Sequence, residues 1–196
     1  MVRRGGDIAV SIYGVLMYVE GFIQPLLYGM CDSLQPAVGY NWGAGALSRV
    51  KSIERYCYTA GAVVSVVSAI LIFLVPEPIA GIFLEDVNAT VLADTAFALR
   101  LFSFTYLTRW FSFATQSFML AIERAGAATL ISVSTALIFP VLLVAVFWPL
   151  GLTGLWLNFA GTSLLAGGLA AVIMLRFRRD WRKLAREESP SIGEPA

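Results

Sequence analysis

The sequence predicts an all-α integral membrane protein with five transmembrane helices. Three observations predict it. The 196 residues are 58% hydrophobic and only 14% charged, with a mean hydropathy of +0.76, whereas soluble domains carry about a quarter charged residues. The apolar residues come in blocks of bilayer length, without a two-residue alternation. Between the blocks lie turn-forming stretches: "NWGAGALSR", "PEP", "ERAGA" and "PLGLTG".

The first predicted helix covers 8–40 and exceeds one bilayer thickness; it is also too long for a cleaved signal peptide. As one rod it would run about 50 Å at roughly 1.5 Å per residue. The hydrocarbon is only about 30 Å, so the excess must tilt, kink or protrude. Helices follow over 56–75, 95–122, 127–147 and 155–175. Residues 1–177 form one transmembrane bundle. Residues 178–196 form a cytoplasmic tail, basic at first and disordered in "SPSIGEPA".

Charge orients the bundle. Arg49, Lys51 and Arg55 follow the first helix, Arg124 follows the third, and Arg176, Arg178, Arg179, Arg182, Lys183 and Arg186 follow the fifth. In an up-and-down bundle these share one end. Glu77, Glu85, Asp86 and Asp94 lie at the other. The positive-inside rule places the basic end and the C-terminus in the cytoplasm. Arg3 and Arg4 pull the other way, against a larger downstream bias.

Several function classes fall away. The chain has no histidine, and no phosphate loop, nucleophile elbow or metal cluster is visible, so an enzyme is not expected. No metal site and no cofactor is expected. Cys31 and Cys57 read as packing residues. Asn88 in "NAT" fits a glycosylation sequon, which means nothing without a secretory eukaryotic context. The basic segment after the fifth helix suits anionic headgroups and implies no nucleic-acid partner.

Polar residues inside apolar helices are the candidate functional positions. A carboxylate at the bilayer centre costs about 2.5–3.5 kcal/mol on insertion scales. Glu20, near the middle of the first helix, must therefore face the bundle or a wet cavity. Tyr13, Glu20, Gln24, Cys31 and Gln35 recur at helical spacing and form one stripe. A carboxyl there that loads and loses a proton is what an H⁺-coupled antiporter needs; the structural alternative is a carboxylate held by a cation or a tyrosine. Asp32 is a second cation-coupling candidate. Arg109, midway along the third helix, cannot snorkel to water and needs an intramembrane partner; Glu20 matches it in depth. The pair and the proton carrier compete, unless substrate or proton breaks the pair. Trp110 and Phe113 are expected to share a face with Arg109 and Gln116. Together with Tyr13 and Gln24 they are candidates to line a cavity for flat, lipophilic cations.

Pro25 and Pro36 each remove a backbone donor, and the freed carbonyls need new partners inside a membrane. Gln35 and Asn41 are placed to help. Gly39, Gly43 and Gly45 permit close helix contact and a sharp turn. Pro25, Gln35, Pro36, Gly39, Asn41 and Gly43 are thus a helix end with its turn, or a hinge and gate for alternating access. Pro140 bends the fourth helix near Ser132 and Ser134.

"GDIAV" opening a long helix, then "GMCDSLQPAVGYNWGAGALSRVK", resembles the multidrug and toxic compound extrusion (MATE) transporters, the bacterial multidrug-exporter branch above all. Gln35, Pro36, Gly39, Tyr40, Asn41, Trp42, Gly43, Ala44, Arg49 and Lys51 carry the likeness. "FMLAIERAGAATLISVSTALIFPVLLV" and "PLGLTGLWLNFAGTSLLAGGLAAVIMLRF" are similar to later stretches of the family, in the same order. The resemblance implies helices eight to twelve of a twelve-helix, two-lobe transporter, hence a partial C-terminal six-helix lobe from a truncated or split protein. It places Arg3 and Arg4 on the outer side.

The resemblance further implies a multidrug efflux antiporter of the cell (inner) membrane, exporting lipophilic cations against H⁺ or Na⁺. Its expected partners are membrane lipids, its substrates, and a missing N-terminal lobe or a second copy. A non-transporting fragment or assembly subunit is the alternative, and a lipid-linked oligosaccharide flippase-like protein a weaker one.

Overall fold

The computed structural model describes residues 2–84 and 89–187. The sequon at Asn88, the acids Glu85 and Asp86, and residues 188–196 lie outside the described residues.

The described chain forms five rods, alternating in direction. The first rod is two helices, α1 (Val2–Asp32) and α2 (Gln35–Gly43). Gly6, at φ 59° and ψ −153°, interrupts α1 in its first turns with a backbone that only glycine adopts easily. Helix α1 then continues past Pro25 without leaving helical backbone. The predicted single helix over 8–40 breaks instead at Ser33–Leu34. Pro36 falls in the first turn of α2, where its missing N–H was never needed. Gly45, at φ +69°, turns the chain.

Helix α3 (Leu47–Leu74) begins nine residues before the predicted 56, since "LSRVKSIER" contains no helix breaker. It stops before Pro76, which disfavours helical backbone in the residue ahead of it. "PEP", a predicted turn-forming stretch, opens a short helix, α4 (Pro76–Phe83). The third rod is α5 (Ala89–Ser103) followed by α6 (Thr105–Ala121), divided at Phe104 where one helix over 95–122 was predicted.

The fourth rod is α7 (Ala125–Val133), a π-helical turn over Ser134–Ile138, and α8 (Phe139–Phe147). The wide turn sits just ahead of Pro140, whose ring would otherwise press on the preceding turn. A short 3₁₀ turn over Trp148–Leu150 and Gly151, at φ 65°, reverse the chain into α9 (Gly151–Glu187). Helix α9 begins before the predicted 155 and continues beyond 175 into the basic segment, as far as Glu187.

Among the described residues, three helical stretches are long and apolar enough to cross a membrane: Gly6–Gly43, Leu47–Leu74 and Ala125–Trp181. The last contains the reversal at Gly151 and so makes two rods. Neither α5 nor α6 is long enough alone; end to end they make the remaining rod.

Helix α6 is the axis of the bundle. It packs on α1, α2, α3, α7 and α9. Leu16, Leu27, Leu99, Phe102 and Tyr106 are wholly buried in the main core, and Val50, Phe118, Met119 and Phe177 fill a second cluster at the basic end. Large apolar side chains also cover the outside, including Phe22, Ile70, Leu142 and Leu164. A water-facing surface tolerates no such belt, and a lipid-facing one requires it.

Polar side chains supply hydrogen bonds to the backbone near the helix breaks. Ser65 and Ser163 donate to the carbonyls of Tyr106 and Thr105, each at 2.6 Å, beside the division at Phe104. Ser117 donates to the Cys31 carbonyl at 3.0 Å, beside the division of the first rod. Asn158 donates to the Pro140 carbonyl at 2.9 Å. Lipid offers no such partner, so the bundle provides its own.

Candidate functional site

Glu20 comes from α1, and Tyr106 and Arg109 lie three residues apart on the face of α6 that meets it. Arg109 Nη2 is 2.7 Å from Glu20 Oε1. The Tyr106 hydroxyl donates to Glu20 Oε2 at 2.5 Å. Both carboxylate oxygens are therefore engaged by groups from one helix. The Glu20 and Arg109 side chains are only 10% and 17% exposed. The cation that sequence placed at matching depth is the one that meets the carboxylate.

The pair continues into an aromatic stack. The Arg109 guanidinium lies 5.3 Å from the Phe113 ring centroid, and Tyr28 stacks on Phe113 with centroids 4.0 Å apart. A guanidinium is weakly hydrated and suits such a ring face. Phe113 is 3% exposed and packs between Tyr28 and Arg109, so it is not a free cavity wall.

Trp110 turns the other way. It meets Tyr58 edge-on at 6.1 Å and lies against Gly61 of α3, while its indole N–H donates to the Leu107 carbonyl. The expected shared face of Trp110 and Phe113 is thus divided between α3 and α1. Tyr13 is half-buried with its ring 6.2 Å from Phe159. Gln24 and Gln116 are also half-buried.

One level toward the basic end, Gln35 Nε2 donates to Asp32 Oδ1 at 2.7 Å and to Ser117 Oγ at 3.0 Å. Asp32 is exposed. Ser117, which no sequence motif marks, donates to the Cys31 carbonyl beside the break, and Gln35 donates to that serine. Asn41 bonds within its own helix, to the Ala37 carbonyl at 2.8 Å. A Cβ on Gly39 would lie 3.2 Å from the Ala121 carbonyl, so this glycine does admit a close helix approach. Gly43 faces open space and does not. Pro25 is exposed and the backbone around it stays helical, so the break near it that is available to a hinge is Ser33–Leu34. Cys31 and Cys57 are free, buried and packed with Ala114.

A second buried carboxylate escaped sequence reading. Glu54 of α3 has a side chain 8% exposed and pairs with Arg178 of α9 at 3.0 Å. Set among Arg49, Lys51 and Arg55, it carries no sequence signal that a distant helix covers it. At the opposite end, Arg100 and Glu77 form an exposed pair at 2.9 Å, as surface ions often do at little gain.

Tyr106→Phe removes one charge-assisted hydrogen bond and leaves the ion pair in place. It is expected to cost about 1.5–3 kcal/mol, read as a lower thermal midpoint in detergent. An unchanged midpoint would show that Tyr106 only packs beside Glu20.

Alternating apolar rods around an ion pair buried at mid-rod define a polytopic membrane protein. The family model described as MatE matches residues 1–146. The chain belongs to the MatE family of multidrug and toxic compound extrusion transporters.

A multidrug export protein, MepA, of Staphylococcus aureus strain MSSA476 is 27% identical over 179 residues, covering 89% of this chain and 38% of its own length. The chain thus spans well under half of the curated relatives it matches. Among solved structures, a MATE in complex with MaL6 superposes with a TM-score of 0.82 at 17% identity, covering 94% of this chain and 41% of that one. An outward-facing multidrug resistance MATE family transporter of the MOP superfamily gives 0.81 at 18% identity, covering 94% and 41%. At these identities the likeness is one of fold.

Proposed function

We propose that the chain is part of the C-terminal lobe of a multidrug efflux antiporter, with its basic end and C-terminus in the cytoplasm, and that Glu20 is its coupling carboxylate. The observation that carries this is the buried Glu20–Arg109–Tyr106 cluster at mid-rod. A proton or Na⁺ arriving at Glu20 competes with Arg109 for the same oxygen. Once displaced, Arg109 is a buried cation without a partner, a costly state that favours rearrangement of α6 against α1. The coupling ion and the conformational change are then one event. Lipophilic cations are the proposed substrates, and a second copy or another chain supplies the facing half of the cavity.

The test is accumulation of a fluorescent lipophilic cation in a pump-deficient bacterial host expressing the chain. Accumulation should fall, and Glu20→Gln should abolish the fall. If the intact chain changes nothing, the autonomous pump is wrong and the assembly-subunit reading takes its place. If Glu20→Gln exports as well as the parent, transport stands and the coupling role of Glu20 does not. Collapsing the pH gradient and the Na⁺ gradient separately identifies the ion.

A further inference from the structure

Helices α3 and α9 both pack on α6, and between them at the basic end lies an open cleft of about 810 Å³. Its size falls within the range of small-molecule sites. The two sides differ in chemistry. Lys51 and Arg55, one helical turn apart on α3, and Arg178 on α9 form a cationic rim. Phe111, Met174 and Leu175 form apolar walls.

Charge favours an anion. The rim sets three cations against one carboxylate, Glu54, which takes only one Arg178 nitrogen at 3.0 Å. Arg178 is 53% exposed and has further N–H donors to offer. Lys51 and Arg55 are also exposed.

Depth favours a lipid. Below the rim on α3, Val63, Val66, Val67 and Ile70 are exposed and belong to the apolar belt. On α9 the belt ends at exposed Leu175, directly before Arg176 and Arg178. The cleft therefore lies where hydrocarbon gives way to headgroups. Trp181, with Lys51 Nζ 5.2 Å from its ring centroid, marks that level as interfacial aromatics do. Basic pockets between helices at such a depth suit anionic headgroups.

We propose that this cleft is a binding site for an anionic phospholipid. Its phosphate is held by Lys51, Arg55 and the unengaged edge of Arg178, and an acyl chain lies along Phe111, Met174 and Leu175. The site is distinct from the Glu20 cluster and does not depend on transport.

The full chain in detergent is titrated with brominated phosphatidylglycerol or brominated phosphatidylcholine, and tryptophan quenching is followed. The Trp181→Phe variant isolates the signal of Trp181. Phosphatidylglycerol should quench Trp181 at a mole fraction on the order of tenfold lower than phosphatidylcholine, as two to three surface cations allow. Lys51→Gln with Arg55→Gln should erase that preference while leaving Glu54–Arg178 intact; both lysine and arginine are exposed, so the fold tolerates the change. Ala171→Phe, which fills the apolar side of the cleft, should weaken both lipids. Equal quenching by the two lipids, or a preference that survives the double substitution, would overturn the proposal. Inorganic phosphate competing as well as phosphatidylglycerol would overturn it in favour of a free-anion site.

Discussion

Glu20→Leu is expected to lower the thermal midpoint of the chain in detergent by on the order of 10 °C. The substitution strands Arg109, whose side chain is only 17% exposed and whose carboxylate partner at 2.7 Å is then gone. Removing one member of a buried pair typically costs about 3–5 kcal/mol. In a chain of this size each kcal/mol lowers the midpoint by roughly 2–4 °C. The companion variant, Glu20→Met with Arg109→Met, should recover most of the loss, because two apolar side chains of similar length leave no buried charge. The transport proposed above should not recover with it. A stable but inactive double variant separates the structural from the functional part of the pair. An unaltered midpoint for Glu20→Leu would mean that water or lipid headgroups already screen Arg109, and that the site is open.

The second large effect is expected at the turn into the last rod. A Cβ on Gly154 would lie 2.3 Å from the Phe147 carbonyl oxygen, 3.0 Å from Phe147 Cβ and 3.1 Å from Leu150 Cβ. Backbone cannot swing aside as a side chain does. Gly154→Ala should therefore pry α9 from α8 at the cost of about 3 kcal/mol, the upper part of the overpacking range. Two further glycines calibrate the result. At Gly161 the nearest atom is Leu143 Cδ1 at 2.9 Å, a mobile methyl, so alanine there should cost less. Gly168 has nothing within 4 Å, and alanine there should stabilise the helix by about 0.5–1 kcal/mol. Thermal midpoints of the three variants in one detergent give the order. If Gly154→Ala matches Gly168→Ala, the hairpin is looser than its packing implies.

Much of this was legible in the sequence, and the reason is the solvent. Hydrocarbon penalises charge so heavily that Glu20 and Arg109 stood out, and their matching depth was enough to pair them. Tyr106 did not stand out. It is one of many aromatics in its rod, and nothing in the one-dimensional pattern tells a hydrogen-bonding tyrosine from a lipid-facing ring. The pair of Glu54 with Arg178 was hidden for the opposite reason. An acid amid cations near the membrane surface reads as solvated until a distant helix is seen to cover it. The break at Phe104 has neither glycine nor proline beside it, so no local signal marks it; its stabilising hydroxyls come from Ser65 and Ser163 on other rods. Gly43 shows the limit of motif reading, since only Gly39 of the pair meets a neighbouring backbone.

The dependence of α6 on α9 bears on how the protein is made. Thr108 shares a hydrogen bond with Ser163 at 3.0 Å, and the Thr105 carbonyl accepts from the same serine. Gly167 fits against Thr108, and Phe118 meets Phe177. All of these partners follow α6 in the chain. A nascent chain in which α6 has left the insertion machinery ahead of α9 holds a half-finished axis, with threonines still facing lipid or the translocon wall. Release of α9 closes that gap, so quality control has a natural checkpoint there, and proteases should find the chain most vulnerable just before it.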